Sequence, residues 1–115
     1  MTIIEETIQT LDEFIPNVIS ASRNLAENLR KGESLDTSVL SKLLEAIQWC
    51  LSAIEGLQKN NSLTGIPLAA ITEPLGELEE ALENQDHIMI ADLLEYEIAA
   101  VFEEWLTVIK NNREH

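Results

Sequence analysis

Apolar residues recur along this chain at alternating steps of three and four, and alternation at period two is absent. That spacing marks one face of an α-helix and not a strand. Ile4, Ile8, Leu11, Ile15, Val18, Ser22, Leu25 and Leu29 keep step and predict a first helix over 3–31. Thr2 and Glu5 have the spacing of a capping box at its start, and Gly32 supplies a left-handed stop. Pro16 removes a backbone donor inside this stretch, but the phase continues across it, so one kinked helix is expected. Leu40, Leu43, Leu44, Ile47, Leu51 and Ile54 define a second helix over 36–59, with Asp36 as its N-cap. A third, over 67–84, opens with Pro67 in its first turn, where a missing N–H does no harm. Its stripe is Leu68, Ile71, Leu75, Leu78 and Leu82, again in phase across a proline, Pro74. Asp86 then caps a fourth helix over 87–110. Four helices joined by short turns bury their stripes as an antiparallel bundle. The expected fold is therefore all-α, a single domain over 1–115 with proline-kinked first and third helices.

Projected at 100° per residue, the fourth helix has two apolar sides. His87, Ala91, Leu94, Ile98, Val101, Phe102, Trp105 and Ile109 share one arc, read as the core face. Met89, Leu93, Tyr96 and Ala100 fall opposite, where a small bundle is expected to be polar. On the second helix Trp49 projects away from Ile47, beside the small residues Ala46, Ala53 and Gly56. A large aromatic on shallow ground has the character of an interface anchor. The outer faces of helices two and four, carried by Trp49, Ala53, Met89, Leu93, Tyr96 and Ala100, are thus the expected contact surfaces.

Charge narrows the choice of partner. The 115-residue chain has a net charge of −14, and between Lys59 and Lys110 it has eleven carboxylates and no Lys or Arg. Such a field repels phosphate backbones and anionic lipid headgroups and attracts cationic partners. Nucleic acid and membrane surfaces are therefore not expected partners. With 45% hydrophobic residues the chain can still form a core, and no run of 18 apolar residues offers a membrane span. Glu5 and Glu6 stand where a secretory signal would have bases, so the expected location is the cytoplasm. The lone cysteine, Cys50, reads as a small core residue.

Candidate chemistry is sparse. Glu79-Glu80-x-x-Glu83 and Asp92-x-x-Glu95 are acidic pairs on the two arms of one helical hairpin, and hard oxygen ligands of this kind hold Mg²⁺ in phosphate chemistry. Glu79, Glu83, Asp92 and Glu95 would be the ligands. The arrangement resembles the acidic motif of all-α nucleotide pyrophosphohydrolases, with the second pair reversed in order and the separation too short. A solvated acidic face is the competing account. Glu95 falls inside the apolar arc of helix four, where Arg23 or Lys42 could reach it. His87 and His115 belong to no Glu-x-x-His pair, and no nucleophile elbow, P-loop or calcium loop is present. No metal or cofactor is implied, and an enzyme is not expected.

Ala81-Leu82-Glu83-Asn84-Gln85-Asp86, with Ala91-Asp92-Leu93-Leu94-Glu95-Tyr96-Glu97 and Glu103-Glu104-Trp105, resembles small acidic helical proteins of Gram-positive bacteria. In general character the chain is also similar to bacterial export chaperones, including the flagellar type. The resemblance implies a bacterial cytoplasmic protein and transfers no catalytic residue. The expected function is a non-catalytic interaction module that meets either a second copy or a protein partner in the manner of an acidic chaperone or adaptor. The homodimer is slightly favoured, because an apolar face is easily self-complementary.

Overall fold

A short acceptor side chain just before a helix satisfies one of its orphan N–H groups, and three of the four helices here begin in that way. The computed structural model describes residues 2–113; Met1, Glu114 and His115 lie outside the described residues. The Thr2 hydroxyl accepts from the Glu5 N–H at 3.1 Å and opens α1 (Ile3–Arg30). Asp36 accepts from the Val39 N–H at 3.1 Å and opens α2 (Thr37–Lys59). α3 (Ala69–Glu83) starts without a side-chain cap. Asp86 accepts from the Met89 N–H at 3.1 Å and opens α4, residues 87–113.

The first three helices also end alike. The N–H groups of Glu33, Ser62 and Asp86 each return to a carbonyl five residues back, on Asn28, Leu57 and Ala81, at 3.0, 2.8 and 2.9 Å. This closure needs a left-handed residue, and Gly32 (φ 87°), Asn61 (φ 58°) and Gln85 (φ 54°) provide it. The described residues contain no strand. One helix runs through Pro16 and one through Pro74, as the phase continuity predicts.

Two expectations need correction. The third helix begins at Ala69 rather than 67, because Pro67 and Leu68 form a tighter turn whose carbonyls accept from Ala70 and Ile71 at 2.9 and 3.2 Å. The fourth helix extends beyond 110 and is not uniform. It is α-helical over His87–Asp92, π-helical over Leu93–Ile98 and α-helical again over Ala99–Arg113. A π turn holds one residue more than an α turn, so the face N-terminal to it is rotated. Ile90 and Leu93 are buried with Ala91 and Leu94, while His87 is exposed and Val101 only half-buried.

α1 packs along α4 and against α2, and α3 packs against α4. The α1–α4 seam is antiparallel, as its ion pairs record. Asp12 meets Arg113, Arg23 meets Glu103, and Arg30 meets Glu95 and Asp92, so the partner number falls as the α1 number rises. The molecule measures 45 × 22 × 20 Å, a bundle in cross-section. Its core centres on Phe102 and Trp105, both buried and edge-on at 5.0 Å. No described helix is long and apolar enough to cross a membrane.

Candidate functional site

The backbones of α2 and α3 stay apart, unlike the other adjacent helices. The connection between them, residues 60–68, drives Leu63 and Ile66 into the core, and Gln58 Nε2 pins it by donating to the Ile66 carbonyl at 2.7 Å. What remains between the two helices is an apolar groove in two stretches. One holds about 650 Å³ between Leu51 and Glu55 on α2 and Ile71, Leu75, Gly76 and Glu79 on α3, with Leu68 at its end. The other holds about 240 Å³ between Leu44, Ile47 and Gln48 and the α3 residues Leu75, Leu78 and Leu82. Leu75 and Glu79 border both stretches.

The walls have a regular construction. Leu44 and Leu51 on α2, and Leu68, Leu75 and Leu82 from Leu68 along α3, recur every seventh residue and are all half-buried. Residues seven apart lie two turns apart on nearly the same face. Each line of leucines therefore leans into the core on one side and into the groove on the other. A β-carbon built on Gly76 would meet nothing within 4 Å, so the groove is open there and the glycine is not needed for helix contact. Glu55 and Glu79 stand on opposite rims. Glu55 is paired with Lys59 at 3.1 Å, whereas α3 has five glutamates and no Lys or Arg.

The residues singled out from the sequence do not form this surface, nor any other single one. Trp49 is 42% exposed and leans edge-on against Phe14 of α1 at 5.4 Å, and Ala53 is half-buried. Tyr96 is 65% exposed and lies beneath the Arg30 guanidinium, 5.2 Å from its ring centre. Phe14 and Arg30 are about 24 Å apart along α1 at 1.5 Å per residue, so Trp49 and Tyr96 lean on different stretches of α1. Met89 is 40% exposed and Ala100 half-buried. Leu93 is 3% exposed. The expected outer stripe of helix four therefore loses Leu93, which the π turn swings into the core, while Met89 and Tyr96 stay exposed.

The candidate metal ligands are also separated by function. Arg30 holds Asp92 at 2.9 Å and also bonds Glu95, in place of the Arg23 or Lys42 expected within its reach. Arg23 is engaged instead by Glu103. The hydrogen bond to Asp92, with that to Glu95, raises the Arg30 guanidinium above its ordinary value against a smaller desolvation effect, so it is charged at any ordinary pH. Glu79 stands on the groove rim and Glu83 is exposed at the end of α3. Among the described residues no three His, Cys, Asp or Glu groups come close enough to hold a metal ion. Burial alone pushes the Cys50 thiol up to about 12, which makes it inert as a nucleophile.

Together these features define a small acidic all-α domain with a long apolar cleft between its second and third helices. The family model described as Domain of unknown function (DUF8042) matches residues 6–108, and the chain belongs to that family. No curated protein and no solved structure matches it.

Proposed function

We propose that this domain is a non-catalytic protein-interaction module whose docking surface is the α2–α3 groove. The observation that carries the reading is the pair of half-buried leucine lines facing a gap that no element of the bundle closes. Half-buried leucines on two walls still have apolar surface to remove from water, at about 25 cal/mol per Å² before association costs. The groove replaces the outer faces of helices two and four as the contact site, since Leu93 is inside and Trp49 already leans on Phe14.

The test is position-specific cross-linking in the native cell. A photo-reactive residue replaces Gly76, in the groove, or Ser20, exposed on α1. The expected result is one adduct of defined mass from position 76 and none from position 20. Adducts from position 20, or from Trp49 and Tyr96 replaced in the same way, with none from position 76, refute the groove as the docking surface.

A further inference from the structure

We infer that the occupant of the α2–α3 groove is a basic amphipathic α-helix of a partner protein, about four turns long. This rests on the reading of the groove as a docking surface and adds the chemistry of what docks. The groove is bordered by two helices, whose backbone groups are paired internally, so it has no free sheet edge to take an added strand. Its lining contains no aromatic residue, and recognition of extended proline-rich segments depends on aromatic-lined grooves. The remaining common mode lays the apolar face of a helix into a groove through anchors at i, i+3, i+4 and i+7. Leucine lines repeating every seventh residue present knobs at that pitch. From Leu68 to Leu82 the wall is about 21 Å long at 1.5 Å per residue, which sets the length of the helix it can hold.

Charge decides between a partner and a second copy. Glu79 lines both stretches of the cleft from α3, which has five glutamates and no Lys or Arg, while Glu55 on the α2 rim is already paired with Lys59. A helix with Lys or Arg beside its apolar stripe would give Glu79 the counter-charge that α3 lacks. Two copies meeting groove to groove would set α3 against α3, with carboxylates within the screening distance of about 8 Å. The groove is thus complementary to a basic helix and repels its own kind.

The experiment uses the full chain and three synthetic peptides of about 18 residues, or about 27 Å as helices. All have one leucine stripe at helical spacing. The first has Lys and Arg flanking the stripe, the second has Glu in those places, and the third is the basic peptide with a central proline pair. Titration followed by calorimetry is expected to give at least about tenfold tighter binding for the basic peptide than for either of the others. That binding should weaken as salt is raised. Gly76→Leu puts a side chain into the groove, and its β-carbon meets nothing within 4 Å; an unchanged circular dichroism spectrum checks that the fold is kept. The substitution should reduce affinity by about tenfold or more, and the exposed Glu79→Gln should reduce it severalfold for the basic peptide.

The inference is overturned if no peptide binds below about 1 mM, if the acidic peptide binds as well as the basic one, or if Gly76→Leu leaves binding unchanged. It is also overturned if the protein forms a dimer that Gly76→Leu abolishes, which would make the second copy the occupant. In any of these outcomes a cross-link from position 76 still stands for the docking reading, and its absence removes both.

Discussion

Deleting a residue from the middle of a helix usually turns everything after it by 100° and ruins the packing, yet one such deletion in α4 should be tolerated. The buried residues Ile90, Leu94, Ile98, Phe102, Trp105 and Ile109 are spaced by four, four, four, three and four. Each step of four overshoots a full α turn by about 40°, so three in succession would drift by about 120°. The π turn over Leu93–Ile98 absorbs the drift. Deletion of Glu97, which is exposed, would convert the spacing to four, three, four, three and four, the repeat of an uninterrupted helix. No buried side chain changes place, and Arg30 keeps Asp92, Glu95 and Tyr96, which all precede the deletion. The expected cost is below about 2 kcal/mol. Deletion of Glu104 is the control, since it moves Leu106 into the place of Trp105 and Lys110 into that of Ile109. Loss of a buried indole costs about 3 kcal/mol, and replacing a buried isoleucine with a lysine about 2 more. That total of about 5 kcal/mol approaches the whole stability of a small domain. Urea unfolding followed by circular dichroism measures both variants. If the Glu97 deletion unfolds at or below the midpoint of the Glu104 deletion, the π turn is not an inserted residue and this account of α4 is wrong.

Gln85→Gly should raise stability by about 1 kcal/mol, because Gln85 closes α3 at φ 54°, where a side chain costs about that much and glycine does not. An unchanged or lower melting temperature would count against the closure described for α3. Cys50 should resist alkylation in the folded protein and react once urea unfolds it. Its thiol titrates from an ordinary 9.0 to about 12 on folding, so its contribution to stability is intact below pH 9.0 and is lost as pH rises toward about 12, where the unfolded thiol ionises first. Rapid alkylation under native conditions would show that the site opens without unfolding. Arg30→Met should lower the urea midpoint slightly at low salt and not at high salt, because its pairs with Asp92 and Glu95 are solvent-accessible and screened. A large loss at high salt would mean that the π segment depends on this arginine.

What the sequence revealed was local and periodic. Thr2, Asp36 and Asp86 could be read as caps because a side chain and an N–H three residues on must meet if a helix forms at all. Continuous helices through Pro16 and Pro74 followed from stripe phase, since two independent helices have no reason to share one. The π turn was hidden because α4 offers two nearly equal readings. A straight helix would bury His87 and Val101 with Ala91, whereas the observed one buries Ile90 and Leu93 with Ala91 and leaves His87 exposed. Only packing against the neighbouring helices separates them, and the second choice removes more apolar surface from water while leaving the imidazole outside. The groove was hidden for another reason. Leu44, Leu51, Leu68, Leu75 and Leu82 were all visible as core stripe, but periodicity reports direction around a helix and not the distance to the next one. The seven-residue recurrence on both walls was the available signal. Arg30, missed as the partner of Glu95, is a register effect, because the α1–α4 alignment decides which arginine arrives opposite.

The charge distribution explains why one side of the bundle is closed and the other is not. Arg23, Arg30 and Arg113 all bridge α1 and α4, the seam where the backbones already lie close. Lys31 and Lys59 pair within their own helices, with Glu27 and Glu55 at 3.1 Å. α3 therefore has no cation of its own and receives none of these five. Closing the α2–α3 seam would press Glu79 against the apolar wall of α2, and water would leave its carboxylate with no cation of α3 to replace it. Desolvation of that carboxylate opposes the closure, while the exposed flanks of the leucines favour it. The balance leaves the seam apolar at its floor and anionic at its rims. Only a body with the converse arrangement, an apolar stripe between cationic flanks, relieves both terms at once, and a helix is the simplest element that has it.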